Sequence, residues 1–343
     1  MQPANPLRMA VLGLGFMGST HWKAARNTSN VQVTAVYSSD PKKLSGDLSA
    51  IQGNIGGPGE MMDVSGIAAY SNLDELLADA SIDAVDLCMP TDLHESFAVA
   101  ALRAGKHVLV EKPMALDGAS AGRMIAAAQQ AGKTLMTAQV LRFWPDYAAL
   151  HAVVRGGKLG GLRFAVFRRR CAAPGWSGWL GDPTRSGGGV FDLLIHDVDM
   201  ALHLFGMPQS VSASGYEDLA AGIDSIGAIL HYPGDASVLI TGGWHHPGDY
   251  PFQAEFTVSL ERATLDFNTA GRRVTLYGAG EQPVLVDTDG YAAEIEYFGD
   301  CCLNGKQPDL CPPEESAAAV KLMNLMLESR KRNGEVIECS KLA

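Results

Sequence analysis

The stretch Met9-Ala10-Val11-Leu12-Gly13-Leu14-Gly15-Phe16-Met17-Gly18 decides how this chain is read. Four apolar residues make a strand pattern, and glycines spaced as GxGxxG follow where a helix begins. Gly13 permits a tight turn, Gly15 lets the backbone approach a pyrophosphate, and Gly18 lets the helix pack close to the strand. Phe16 and Met17 fall inside the same cradle. A helix N-terminus favours the negative charge of a diphosphate. The motif alone is common; its place after a strand and at the head of a βαβ series gives it weight.

The next hundred residues repeat the alternation. Strand patterns run over 31–37, 84–88, 107–110 and 134–140, with helices predicted over 72–80, 93–104 and 118–131. Asp117 suits an N-cap, and Gly105 and Gly132 suit helix ends. Such alternation predicts a mostly parallel sheet covered by helices. Beyond about residue 140 the pattern changes. A helix over 146–155 is followed by strand-like segments at 162–170, 210–216, 223–232, 236–242, 253–260 and 263–267. Pro233-Gly234-Asp235 reads as a hairpin turn, and helices are expected near 190–205 and 314–330. The expected fold is therefore an N-terminal Rossmann domain over 1–140 and a C-terminal α+β domain over 141–338. The second carries an open, mostly antiparallel sheet. Residues 339–343 read as a tail, with Lys341-Leu342-Ala343 resembling a vector-derived scar.

Composition bounds the function. The 343 residues carry 27 basic and 38 acidic side chains, a formal charge of −11, which disfavours nonspecific nucleic-acid binding. No apolar run reaches the length of a membrane span, and the opening residues lack the order of a signal peptide, so a cytoplasmic location is expected. Six scattered cysteines include no CxxC pair and predict no disulfide scaffold. His21, His94, His245 and His246 add possible ligands, but no HExxH or cysteine–histidine clamp is present, and no metal is expected.

The end of the second strand bears on cofactor choice. It reads Tyr37-Ser38-Ser39-Asp40-Pro41-Lys42-Lys43. Small hydroxyls at Ser38 and Ser39, with Lys43 or Lys42, suit a 2′-phosphate and favour NADP. Asp40 is the counterargument, since an acidic residue near this point serves the ribose of NAD. A plain solvated turn is the third reading.

Two further segments carry chemistry. His107-Val108-Leu109-Val110 ends in Glu111-Lys112-Pro113. Open α/β sheets build their sites at such strand ends, where Lys112 is able to exchange a proton with an oxygen during hydride transfer. A surface lysine at a turn is the bland alternative. Gly187-Gly188-Gly189 then leads into Val190-Phe191-Asp192-Leu193-Leu194-Ile195-His196. On a helix, Asp192 and His196 share one face. A histidine passes protons near neutral pH, and a carboxylate beside it sets its tautomer or holds a substrate hydroxyl. Asp199 and His203 read equally well as solvated polar residues. For substrate contact, Arg142 follows the last Rossmann strand and suits a hydroxyl or acid group. Trp176, Trp179 and Trp244 suit a sugar face as well as they suit plain packing.

Together, Pro90-Thr91-Asp92-Leu93-His94, Ala104 to Pro113 and Gly188 to His196 resemble the Gfo/Idh/MocA oxidoreductase family over nearly the whole chain. The resemblance implies that Lys112 lies between nicotinamide and substrate. His196 would bond the reacting oxygen, and Asp192 a neighbouring hydroxyl. Pro90, His94, Glu111 and Gln139 would line the nicotinamide side. Ser38 and Lys43 look like those of NADP-using members. The implied substrate is a secondary alcohol or carbonyl of a sugar, anhydro sugar or cyclitol, and the sheet of the second domain implies a homodimer or homotetramer. Two rival readings are a glycoside hydrolase that uses tightly bound NAD in a transient redox cycle and a noncatalytic NADP sensor.

Overall fold

A computed structural model describes residues 5–53 and 59–342. The chain forms two compact units, one of residues 1–143 with 288–317, the other of 144–287 with 318–343.

The first unit is built on a six-stranded sheet, β1 (Leu7–Leu12), β2 (Val31–Tyr37), β3 (Ala68–Tyr70), β4 (Ala84–Leu87), β5 (His107–Glu111) and β6 (Leu135–Ala138), in the order β3-β2-β1-β4-β5-β6. Every pairing is parallel. Strands such as Ala84–Leu87 are buried at every position, as expected where helices cover both faces. The predicted caps form: Asp117 accepts the Ser120 N–H at 2.8 Å, and Gly132 ends the helix Gly118–Ala131 at φ 62°. The strand order reverses between β1 and β4, which makes the carboxyl ends of these strands the natural ligand crevice.

The second unit carries an eight-stranded sheet. Its strands are β7 (Leu162–Ala172), β8 (Ser210–Asp218), β9 (Ile223–His231), β10 (Ser237–His246), β11 (Gln253–Leu260), β12 (Ala263–Asn268), β13 (Arg272–Gly278) and β14 (Ile337–Glu338). Their order is β13-β12-β11-β7-β10-β9-β8-β14, and only β7 with β10 is parallel. One face is core: Ala165, Phe167, Val238, Ile240, Phe256 and Val258 are buried, and the helix Gly189–Phe205 belongs to this unit.

Three differences from expectation stand out. The helix Gly290–Asn304 and the strand Arg272–Gly278 went unpredicted. Residues 288–317, assigned above to the second domain, group with the first unit. Ile295, Phe298 and Cys311 explain this, because they are buried in the same apolar cluster as Met9, Val11 and Trp22. Residue 339, placed at the start of a tail, is packed: Cys339 is buried and its N–H donates to the Gln209 carbonyl at 2.8 Å. None of the six cysteines is in a disulfide, and no helix among the described residues is long and apolar enough to cross a membrane.

Candidate active site

In the first unit the glycine loop joins β1 to the helix Phe16–Ala25. Gly13 has φ 93°, and a Cβ there would lie 2.4 Å from the Cys88 carbonyl oxygen. A Cβ on Gly18 would lie 1.9 Å from the Gly13 carbonyl oxygen. Both glycines are therefore required by the protein's own packing. Gly15 differs: among the described residues a Cβ there would meet nothing within 4 Å, and no side chain caps the helix it precedes. A helix N-terminus without a side-chain cap fits a dinucleotide diphosphate.

At the end of β2, Ser38 is buried and its Oγ accepts the Asp40 N–H at 3.1 Å. Asp40 in turn caps the short helix Pro41–Leu44, its Oδ1 accepting the Lys42 N–H at 2.9 Å. Ser39 is exposed and Lys43 half-buried. Asp40, the argument for NAD, is thus engaged in a local cap.

Pro90 is half-buried past the end of β4. His94 is buried with its ring nitrogens 2.9 Å from the Pro113 and Met89 carbonyl oxygens, so it ties together the turns that follow β5 and β4. Burial pushes its pKa down. Gln139 is buried just past β6, and its Nε2 has no hydrogen-bond partner among the described residues. A buried amide donor left open is consistent with a bound polar group.

Lys112 is half-buried at the end of β5, and the bond to Pro113 is cis. Its backbone N–H donates to Glu111 Oε2 at 2.9 Å. Glu111 is buried, and its Oε1 lies 3.1 Å from His21 Nε2. Burial would raise the Glu111 pKa, but the nearby His21, with Lys112, holds it below the usual carboxylate range.

Arg142, expected to meet substrate, is buried. Its guanidinium donates to Glu315 at 2.6 Å and to the Leu310 carbonyl at 2.9 Å. These bonds hold residues 310–315 within the first unit and give the side chain a packing role there.

In the second unit the helix Gly189–Phe205 is buried at thirteen of its seventeen positions. Asp192 and His196 are two of the remaining four, both half-buried and one turn apart. Phe191, Leu194, Ile195, Val198 and Leu202 face the core as predicted. Asp199 is not solvated: it is buried, and His203 stacks on His151 with centroids 4.1 Å apart.

The start of this helix is tightly fixed. Asp224 Oδ2 accepts the Val190 N–H at 2.8 Å, while its Oδ1 accepts from Arg330 at 2.6 Å. A Cβ on Gly189 would lie 2.4 Å from the Trp244 ring. Trp244 is thus buried under the helix start and is not an open sugar platform; only a residue without a side chain lets the two meet. Trp176 is exposed and Trp179 half-buried.

Sequence reasoning missed the buried charges. Arg169 and Asp197 pair through Nε at 2.8 Å and Nη2 at 3.1 Å, both side chains buried. Burial outweighs the arginine's pull and raises the Asp197 pKa. His21 and Asp86 pair at 2.9 Å with no exposure. The signal for Asp86 was present: a carboxylate inside the apolar strand Ala84-Val85-Asp86-Leu87 needs a buried partner.

Comparison with known proteins identifies the two domains. Residues 7–139 match the model of an oxidoreductase family with an NAD-binding Rossmann fold, and residues 147–266 match the GFO/IDH/MocA C-terminal domain. The chain is similar to scyllo-inositol 2-dehydrogenase (NADP(+)) IolU of Bacillus subtilis, 31% identical over 68% of this chain and 69% of that one. It is similar to D-xylose 1-dehydrogenase (NADP(+)) 2 of Haloferax volcanii, 26% identical over 96% of this chain and 99% of the relative. In fold it is similar to the aldose-aldose oxidoreductase of Caulobacter crescentus, with a TM-score of 0.83 at 22% identity over 97% of this chain and 100% of that one. The chain belongs to the Gfo/Idh/MocA family of oxidoreductases.

Proposed function

We propose that this protein is an NAD(P)-dependent dehydrogenase or reductase acting on a secondary alcohol or carbonyl of a sugar, anhydro sugar or cyclitol. The observation that carries the reading is the helix Gly189–Phe205, which buries thirteen of its seventeen residues and leaves Asp192 and His196, one turn apart, among the four that are half-buried. Relatives named for inositol and xylose oxidation support the substrate class.

A bound nicotinamide supplies the hydride acceptor or donor. The chain's residues supply the proton chemistry. In oxidation His196, with Lys112, accepts the hydroxyl proton; in reduction the same groups return it to the forming alkoxide. Asp192 accepts a hydrogen bond from a neighbouring hydroxyl and supports His196. The glycine loop with Phe16 and Met17 holds the diphosphate, and Pro90, His94, Glu111 and Gln139 serve the nicotinamide side. Trp176 and Trp179 remain candidates for the sugar face.

The cofactor preference is for NADP. Ser38, Ser39 and Lys43 receive the 2′-phosphate, and the engagement of Asp40 as a helix cap supports this. A lower KM for NAD than for NADP would reverse the preference. The protein works as a homodimer or homotetramer through the outer face of its second sheet, where Phe164, Tyr216 and Ile229 are exposed.

The test is substitution. Lys112→Ala and His196→Asn each lower kcat by about 10²–10⁴-fold, the usual worth of a positioned acid–base group. Dinucleotide affinity stays near wild type. Wild-type turnover in either variant would remove that residue from the mechanism.

A further inference from the structure

Four ionisable side chains from separate stretches of chain meet inside the first unit. They are His21 on the helix Phe16–Ala25, Asp86 on β4, Glu111 on β5 and Glu294 on the helix Gly290–Asn304. All are buried, His21, Asp86 and Glu294 completely. His21 Nδ1 lies 2.9 Å from Asp86 Oδ2, and its Nε2 lies 3.1 Å from Glu111 Oε1.

Nδ1 is hydrogen-bonded to Asp86, whereas Nε2 has no hydrogen-bond partner among the described residues and meets Glu111 as an ion pair; a ring lying between two carboxylates in this way is favoured as imidazolium, the form with two N–H groups. Burial opposes that charge, but Asp86, with Cys88, holds the His21 pKa well above its usual value. The surrounding groups complete the accounting. Cys88 lies on the β4 side, its Sγ 3.6 Å from His21 Nδ1, and burial pushes its thiol far up. From the helix Gly290–Asn304 come Tyr291, whose ring centre is 5.9 Å from that of His21, and Glu294. Neither Glu294 oxygen has a hydrogen-bond partner among the described residues, and burial raises its pKa strongly, so it stands as a neutral acid. His21 Nδ1, Asp86 and Cys88 offer ligand atoms within 4.8 Å of one another, a grouping open to a metal. The 2.9 Å nitrogen–oxygen separation and the protonated thiol instead describe a hydrogen bond.

The two oxygens of Glu111 have different tasks. Oε1 faces His21, and Oε2 accepts the backbone N–H of Lys112 at 2.9 Å. We propose that His21, clamped by Asp86, is a positioning residue that orients Glu111 and through it the main chain carrying Lys112. The helix that leaves the dinucleotide loop is thereby locked to the strand end that presents the reactive lysine. This inference rests on the proposed role of Lys112.

The test compares His21→Gln, Asp86→Asn and Lys112→Ala in the full-length protein with a turned-over substrate. His21→Gln lowers kcat by about 10- to 100-fold, the scale of small misplacements at a reacting centre, while KM for the dinucleotide stays within about twofold. Asp86→Asn serves if His21→Gln fails to fold. It removes one of the two carboxylates beside His21, so its kcat relative to wild type falls as pH rises through the neutral range. A purely structural cluster would lower kcat equally at all pH values, or lower only thermal stability, and either result overturns the inference. Equimolar metal in the purified wild type, lost from His21→Gln, overturns it too. If Lys112→Ala keeps wild-type turnover, the reading of Lys112 fails and His21 with it. If Lys112→Ala is inactive while the other two match wild type, only the positioning role fails.

Discussion

Gly15→Ala and Gly18→Ala are chemically the same change three residues apart, and the structure predicts different effects on stability. At Gly15 the new methyl meets nothing within 4 Å among the described residues. The backbone there, at φ −91° and ψ −159°, is open to alanine. Replacing glycine at an N-cap costs up to about 1 kcal/mol, and the stiffer unfolded chain returns about 0.4–1 kcal/mol. Stability therefore changes by less than about 1 kcal/mol. In the proposed cofactor site the methyl would nevertheless stand where a diphosphate approaches the first turn. Displacing two charge-assisted backbone hydrogen bonds, each about 1.5–3 kcal/mol, weakens dinucleotide binding by about 3–6 kcal/mol, or roughly 10²–10⁴-fold. At Gly18 the methyl would lie 1.9 Å from the Gly13 oxygen and 3.4 Å from the Cys88 Cβ, neither of which is the tip of a flexible chain. Such overpacking costs about 1–3 kcal/mol of stability, with binding lost as the loop shifts. Denaturant unfolding and calorimetric titration with NADP and NAD separate the two. If Gly15→Ala bound both dinucleotides as wild type does, the loop would not be the diphosphate seat.

Two more changes probe the supporting structure. Gly189→Ala forces a methyl to within 2.4 Å of the buried Trp244 ring. It is expected to cost about 1–3 kcal/mol in an unfolding titration and to lower kcat by displacing Asp192 and His196. Glu294→Gln tests the neutral acid. Because burial raises the folded-state pKa of Glu294, the unfolded chain ionises first, and wild-type stability declines as pH rises above the ordinary carboxyl range. Glu294→Gln lacks that decline, so wild type should lose about 1.4 kcal/mol per pH unit relative to the variant until the raised pKa is passed. Parallel stability–pH curves would show that Glu294 is ionised in the fold.

Much of this architecture was legible because it is local. The glycine spacing, the apolar strands and the caps at Asp117 and Gly132 each lie within a few residues. The spacing of Asp192 and His196 likewise puts them on one helical face. What escaped was long-range. The helix Gly290–Asn304 follows the antiparallel strands in sequence, yet Ile295 and Phe298 are buried with Met9 and Val11, a pairing that periodicity cannot reveal. The strand Arg272–Gly278 buries only Val274 and Leu276, too short an alternation to stand out among arginines. Trp244 looked like a binding aromatic because its burial depends on a missing side chain at Gly189. Arg142 looked free to meet substrate because Glu315, its partner, lies 173 residues away in the chain.

The most direct test of the central claim follows the absorbance of reduced nicotinamide across aldoses, ketoses, anhydro sugars and inositols, with NADP and NAD, in both directions. The account predicts steady, stoichiometric reduction or oxidation of the dinucleotide with at least one of these substrates, abolished by Lys112→Ala and by His196→Asn. Cleavage of glycosides with no net change in bound or free nicotinamide would contradict it.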